Sequence, residues 1–255
     1  MNILVTNDDG ILAQGIRELA DALSEIADIY VCAPHTQRSG SGHAITIERA
    51  VTAQRTTFPK ARGAIRLEGT PADCVKMGLE IFSDEGVVID KVFSGINHGA
   101  NMGTDTLYSG TVSAALEGSL CGLPSAAVSI DARNPLQFDT ARELAVKVAK
   151  TDFSALDEKA VININVPNLP KDEIRGVKVT GLGLREYNER YEKIIAEDGT
   201  VGYRYSGYPV YYEDLGKDAN DVGAAQAGYA TITPLRFDLT NYDLIDKLRA
   251  CGFAD

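Results

Sequence analysis

The first 34 residues constrain the architecture more than any other stretch. The apolar run Ile3-Leu4-Val5-Thr6 leads straight into Asn7-Asp8-Asp9-Gly10. A run of this length bounded by turn formers reads as a short buried strand, with Gly10 marking the turn. Ile16, Leu19, Ala20 and Leu23 then recur at helical spacing, which predicts a helix over 15–24. Ile29-Tyr30-Val31-Cys32-Ala33 reads as a second strand, ended by Pro34. Strand, helix and strand at this spacing make a βαβ unit, and that unit demands a parallel sheet covered by helices. Ligands of such sheets sit beyond the carboxyl ends of the strands, near a topological switch point. Asp8 and Asp9 occupy the first of those ends.

Two adjacent carboxylates there raise each other's pKa unless a cation or hydrogen-bond donors compensate. All-oxygen ligands suit Mg²⁺, Mn²⁺ or Ca²⁺ better than zinc. A solvated Asp-Gly turn is the simpler alternative for the same residues. Net charge is −11, which argues against a surface that coats DNA or RNA but leaves room for a small phosphorylated ligand. Cys32, Cys74, Cys121 and Cys251 form no C-x-x-C pair and are expected to be small buried hydrophobes in a reduced, intracellular setting. No basic segment followed by an apolar run opens the chain, and no apolar stretch approaches the ~20 residues of a membrane span. The expectation is a cytoplasmic protein with no membrane partner.

The loop after the second strand, His35 to His43, is polar and glycine-rich and carries Ser39 beside the first loop. Short β-rich runs at 44–47, 51–53 and 65–67 suggest a hairpin-like excursion. Thr70-Pro71-Ala72-Asp73 predicts a helix start, with Thr70 as N-cap, Pro71 at N1 and Asp73 completing a capping box. That capping is a sufficient account of Thr70 and Asp73, and the helix is expected to run to about Ile81. Val87 to Ile89 and Lys91 to Phe93 read as a third strand region. It leads into the long glycine-rich loop Asn97-His98-Gly99-Ala100-Asn101-Met102-Gly103-Thr104-Asp105. From Thr111 the pattern turns helical, so Ser109-Gly110-Thr111 lies at a helix N-terminus. Free N–H groups and the helix dipole make that position suitable for an anion, while N-capping by Ser109 is the plainer use.

Further strands are expected at Pro124 to Ile130, Val161 to Val166, Val177 to Thr180 and Tyr229 to Thr233. Helices are expected over 140–150 and 242–250. Between Gly183 and Gly228 the character changes. Tyr187, Tyr191, Tyr203, Tyr205, Tyr208, Tyr211 and Tyr212 crowd a segment rich in Gly, Asp and Glu. A segment this long is unusual as a plain loop. It reads as one or two extended hairpins packing on another subunit, because tyrosine joins apolar area to a polar tip.

Three loops thus converge at one edge of a parallel sheet. They bring Asp8 and Asp9, then Ser39, then Asn97, Asn101 and the helix start at Ser109-Gly110-Thr111. Two carboxylates, a hydroxyl and an amide oxygen make the half-shell that holds Mg²⁺ or Mn²⁺ beside phosphate. Residue type alone does not choose Asn97 over Asn101.

These stretches resemble the SurE family of stationary-phase survival proteins. The matching pieces are Asn7-Asp8-Asp9-Gly10, Ala33-Pro34 with Arg38-Ser39-Gly40, and Gly69-Thr70-Pro71 with Asp73-Cys74-Val75. They continue with Ser94-Gly95-Ile96-Asn97 through Gly103, Tyr108 to Val112, Glu117-Gly118, Asn163 to Pro167 and Ile232-Thr233-Pro234-Leu235. The resemblance spans nearly the whole chain. It implies a Rossmann-like three-layer α/β/α sandwich with a mostly parallel sheet, one domain over 1–255, and an extended C-terminal β-hairpin arm over 183–228. It also implies one divalent metal ion per subunit and hydrolysis of nucleoside 5′- and 3′-monophosphates, with action on short polyphosphate. Homodimers or homotetramers through the C-terminal arm are implied too, with no nucleic-acid polymer as partner. By residue, the resemblance assigns metal binding to Asp8, Asp9, Ser39 and Asn97 and phosphate binding to Asn101, Ser109, Gly110 and Thr111. Asp8 and Asp9 are the expected catalytic residues, either through metal-activated water, with Asp9 as an alternative base, or with one Asp attacking directly to form an aspartyl-phosphate. His35 stands where an acidic residue is frequent in the family and His98 at a variable position. With His43, both are expected to be loop histidines without a chemical role. Competing readings are a haloacid-dehalogenase-type phosphatase, disfavoured because Asp8 and Asp9 are adjacent, and a non-catalytic nucleotide-binding or sensor module on the same fold.

Overall fold

The computed structural model describes residues 1–131, 136–153, 160–210 and 220–253. The βαβ unit forms as expected, from β1 (Asn2–Thr6), α1 (Gln14–Leu23) and β2 (Asp28–Pro34), with β1 and β2 parallel. Along β1, Ile3 and Val5 face one layer of helices and Leu4 the other, as the two-residue period of a strand requires. α1 covers the first face with Ile16, Leu19 and Leu23, all fully buried.

Next come a hairpin of β3 (Ala53–Thr56) and β4 (Ala61–Leu67), then α2 (Pro71–Asp84), β5 (Lys91–His98), α3 (Gly110–Leu120), β6 (Ser125–Asp131), α4 (Asp139–Ala149) and β7 (Val161–Pro167). Beyond them lie β8 (Val177–Val179), β9 (Tyr187–Asn188), β10 (Tyr191–Ile195), β11 (Val201–Tyr205), β12 (Tyr208–Pro209), α5 (Asp221–Gln226), β13 (Ala230–Leu235) and α6 (Tyr242–Ala250). Among the described residues the main sheet has the order β3-β4-β2-β1-β5-β6-β7-β13-β8. From β4 to β7 every pairing is parallel, whereas β3 and β13 run antiparallel to their inner neighbours. α1 and α4 pack with one core cluster, and α2 and α3 with those on the opposite face. The result is the α/β/α sandwich.

The topology decides where the site falls. From β1 the chain builds outward through β2 and β4, then returns to place β5 on the other flank of β1 and continues through β6 and β7. The switch point lies between β1 and β5, so the loops after these two strands diverge and open a crevice. A bulge in β5 between Ser94 and Asn97 adjusts the end of that strand beside the crevice.

Some expectations need correction. Residues 44–47 pair with no strand, and the hairpin forms at 53–67 instead. Residues 87–89 precede β5, which begins at Lys91. Before it, the Asp90 carboxylate accepts the Asn2 backbone N–H at 2.6 Å. α2 continues to Asp84 rather than Ile81, because Phe82 is a fully buried member of its apolar face. Cys32 and Cys74 are buried, but Cys121 and Cys251 are exposed at the ends of α3 and α6. The segment 183–228 contains two small antiparallel pairs, β9 with β12 and β10 with β11, and also the helix α5. Tyr211 and Tyr212 lie outside the described residues.

Candidate active site

Three loops meet at the switch point, and backbone bonds stitch them together. Arg38 N donates to Asp8 O at 2.7 Å, joining the second loop to the first. Gly42 N donates to Tyr108 O at 3.1 Å, joining the second to the third. Within the first loop, Asn7 Nδ2 donates to Gly10 O at 2.9 Å and closes the turn that aims Asp8 and Asp9.

The loops enclose a cavity of about 500 Å³. Asp8, Ser39, Asn97, Asn101 and Ser109 are on its wall, so five of the eight residues singled out from sequence are brought together there. Gly110 and Thr111 are buried directly behind that wall. Asp9 is half-buried, its Oδ2 taking the His98 backbone N–H at 3.1 Å and its Oδ1 the Gln37 side chain at 3.4 Å. Gln37 also donates to Ser39 Oγ at 2.9 Å.

Asp8 is 4 % exposed. Its Oδ1 accepts the Thr111 hydroxyl at 2.6 Å, so that hydroxyl serves the carboxylate from the first turn of α3. Burial pushes the Asp8 carboxyl up. The Thr111 bond pulls it back, and the Asp9 charge pushes it up again, for a pKa of about 6. Gly110 is required by close approach. A Cβ there would stand 2.8 Å from Asp8 Cβ and 2.9 Å from Ser41 Oγ. The N-terminus of α3 therefore abuts the Asp8 side chain. Ser109 does cap α3, its Oγ accepting Val112 N at 3.0 Å.

The two asparagines that residue type could not separate are distinguished by their partners. Asn97 Nδ2 is turned back onto Gly99 O at 2.7 Å, which leaves its amide oxygen as the available donor atom for a cation. Asn101 is held from behind: its Nδ2 donates to Ser129 Oγ at 2.8 Å, its backbone N–H to Asn165 Oδ1 at 2.8 Å, and its carbonyl accepts from Asn163 and Asn165. These β7 asparagines are fully buried. Two buried amides in a strand otherwise made of Val, Ile and Pro were the available sequence signal for this support.

Sequence reasoning missed several groups. Ser41 Oγ is buried beside Gly110 with no hydrogen-bond partner among the described residues. Asp105, Tyr108, Tyr187, Glu189, Tyr191 and Tyr205 line the outer part of the cavity. The sequence expectation for the arm tyrosines is a subunit contact. Three of them face the site of their own chain. Tyr187 donates its hydroxyl to Asp105 Oδ2 at 2.5 Å, and Arg185 Nη1 lies 3.0 Å from the same oxygen. Burial and the Asp105 carboxylate together push the Tyr187 hydroxyl well above the usual phenol range. His43 is not idle: its Nε2 lies 2.7 Å from Oε2 of the buried Glu117, whose Oε1 takes Lys76 at 2.9 Å. This ties the second loop to α3. His35 is exposed, and His98 Nε2 has no partner among the described residues.

Residues 3–189 match the family described as Survival protein SurE. The chain belongs to the SurE family. Proteins named 5′-nucleotidase SurE from Petrotoga mobilis and Heliobacterium modesticaldum are each 42 % identical to it, over 98 % and 97 % of this chain and 98 % and 90 % of theirs. The crystal structure of the SurE protein from Aquifex aeolicus superposes with a TM-score of 0.82 at 35 % identity, covering 99 % of this chain and all of that one. The SurE fold here is thus an α/β sandwich with hairpin strands in its C-terminal part. No described helix is long and apolar enough to cross a membrane.

Proposed function

We propose that this SurE protein is a divalent-metal-dependent phosphomonoesterase. It cleaves nucleoside 5′- and 3′-monophosphates to nucleoside and phosphate and also acts on short polyphosphate. One observation carries the reading. Asp8, buried and raised to about 6, lies against the N-terminus of α3 in the same cavity as Ser39, Asn97, Asn101 and Ser109. A carboxylate and helix N–H groups side by side suit a cation and a phosphate bound next to each other.

The donor set fits one Mg²⁺ or Mn²⁺. Asp8 Oδ2, the Asp9 carboxylate, Ser39 Oγ and Asn97 Oδ1 are all oxygens, and among the described residues no lysine or arginine forms an ion pair with Asp8 or Asp9. Such an ion, when bound, supplies Lewis acidity toward the phosphoryl group and makes water more acidic. The chain's own residues do the rest. Thr111 holds Asp8 in one orientation through its hydroxyl. The Gly110 backbone N–H and the Ser41 hydroxyl donate to phosphate oxygens, so charge that develops on them is met by fixed dipoles, while the Thr111 N–H serves the Asp8 carboxylate together with its hydroxyl. Asn101, locked by Ser129 and Asn165, keeps the phosphate in line for attack. In this reading Asp9 accepts a proton from the nucleophile, and net inversion at a chiral phosphorus is the expected stereochemistry of that single displacement.

The outer cavity gives the nucleoside its place. Tyr108, Tyr191 and Tyr205 offer ring faces on which a base stacks, and Tyr191 and Tyr205 already meet edge to face at 5.6 Å. The outward residues of the arm, such as Ile195 and Tyr203 at 64 % and 68 % exposed, suit self-association as a dimer or tetramer. The test is phosphate release from a panel of nucleoside monophosphates and from a chromogenic phosphomonoester, with Mg²⁺, Mn²⁺ or EDTA. Metal-stimulated turnover of nucleotides is the expected result. Nucleotide binding without turnover under any metal overturns the reading.

A further inference from the structure

The third loop runs from Gly99 to Ser109 between β5 and α3, and side chains from elsewhere in the chain anchor its course. One anchor is the β7 asparagine pair behind Asn101. The second arrives from much later in the chain. Asp221, fully buried, accepts the Gly103 N–H on Oδ2 at 2.9 Å and the Gly183 N–H on Oδ1 at 2.7 Å. Gly103 belongs to the third loop, two residues beyond Asn101, and Gly183 is the root of the arm. The contact between them is tight. Gly103 has φ +53°, and a Cβ on it would sit 2.6 Å from Gly183 O. A second joint lies alongside, where Thr104 Oγ1 donates to Arg185 O at 2.8 Å and accepts Arg185 N at 3.3 Å.

Asp221 is the first residue of α5, but capping that helix does not require it. Asn220 already fills that role, its Oδ1 accepting Gly223 N at 2.9 Å. Of the bonds Asp221 accepts, those from Gly103 and Gly183 come from outside its own helix. A fully buried carboxylate is costly unless donors surround it. Its two oxygens here match two backbone N–H groups from separate segments, a task that a single amide oxygen cannot fill.

We propose that Asp221 is a positioning residue for the phosphate end of the site: through Gly103 it holds Asn101 and the approach to α3, and through Gly183 it makes that placement depend on the arm being seated. The proposal rests on the phosphate cradle described above. The bonds that Asp221 accepts, from Gly103, Gly183 and Val222, reach no group of the cation end, whose Asp8, Asp9 and Ser39 lie in the first two loops and whose Asn97 is fixed at the end of β5.

The test compares Asp221→Asn, Asn220→Ala and the wild-type full chain. It reads the affinity for inorganic phosphate in the presence of Mg²⁺ by calorimetry, Mn²⁺ affinity by electron spin resonance, kcat and KM for a nucleoside monophosphate, and Tm. Asp221→Asn is expected to weaken phosphate binding and lower kcat/KM by about tenfold, the scale of a small misplacement of a binding group, while Mn²⁺ affinity stays unchanged. Asn220→Ala is expected to lower Tm and leave phosphate affinity intact. Should Asp221→Asn fail to fold, Thr104→Val isosterically loosens the neighbouring joint between the same loop and the arm and is expected to weaken phosphate binding in the same direction. A folded Asp221→Asn variant with only a lower Tm overturns the proposal. So does equal loss of Mn²⁺ and phosphate affinity, or unchanged phosphate affinity in Thr104→Val when Asp221→Asn cannot be read. A chain that binds phosphate but hydrolyses no nucleotide overturns the nucleotidase reading and leaves this one standing on its phosphate result.

Discussion

The sheet and the arm are built on opposite principles. Every residue of β7 is buried, whereas every residue of β10 and β11 is exposed. In the sheet each buried Ile, Leu or Val adds about 1.5–3 kcal/mol by leaving water, so position is over-determined and the loops at the strand ends inherit it. Among the described residues, β9 to β12 of the arm contribute nothing to the buried core. The arm's root is held by polar contacts, namely Asp221 to Gly183, Thr104 to Arg185, and Asp105 to Tyr187 and Arg185. Each such bond contributes only about 1 kcal/mol net. The sheet therefore fixes the end of the cavity proposed for cation and phosphate, while the arm brings a more yielding wall to the end proposed for the nucleoside.

The largest test of that division is Asp9→Asn, on the sheet side. Loss of one carboxylate of the pair is expected to cut phosphate release by about 10³-fold with every substrate. Full turnover in that variant would move the centre away from the first loop. Gly110→Ala comes next. Its Cβ meets Asp8 at 2.8 Å, and the forced shift is expected to cost about 10²-fold in kcat/KM with little change in global structure. Replacing 191–205 by a short Gly-Ser turn addresses the arm. It removes Tyr191 and Tyr205 and is expected to raise KM for nucleotides about tenfold, one base stack's worth. Turnover of a small chromogenic phosphomonoester and the Tm of the sheet should hardly change. A large fall in Tm would show that the two regions fold as one unit.

The smallest effect is expected at the α2 cap. Thr70→Ala removes half of the capping box and should cost about 1 kcal/mol of stability without altering KM. Burial pushes the Asp73 carboxyl up, but hydrogen bonds from Thr46 and Thr70 outweigh it and hold its pKa below the ordinary 3.8. A carboxyl lowered on folding stabilises above its unfolded pKa, and that contribution is lost as pH falls through the folded value. Acid unfolding below about pH 4 should therefore be less steep in Asp73→Asn than in wild type. An unchanged acid limb would remove Asp73 from the linkage.

The legibility of the chain follows the same division. The βαβ opening, the capping box at Thr70 and the cap at Ser109 were all readable, because periodicity and capping are local properties of a few adjacent residues. The convergence of Asp8, Ser39, Asn97, Asn101 and Ser109 was readable too, since a parallel sheet gathers the carboxyl ends of its strands at one edge. Segments 44–47 and 87–89 misled because their β-rich composition found no partner strand, and strand propensity depends on what lies alongside.

The sequence by itself determined the layered α/β architecture and the first two loops of the site. Hydrophobic spacing and turn chemistry act along the chain and need no knowledge of distant contacts. Tertiary structure alone decided which atoms do what. It turned the Asn97 amide nitrogen onto Gly99, gave the Thr111 hydroxyl to Asp8, and brought Tyr187, Tyr191 and Tyr205 to the cavity. It also seated Asp221 between Gly103 and Gly183. The Asp221 and Gly103 partners stand 118 residues apart in sequence, and nothing in either residue's neighbours specifies the other until the fold closes and the buried Gly103 N–H requires an acceptor.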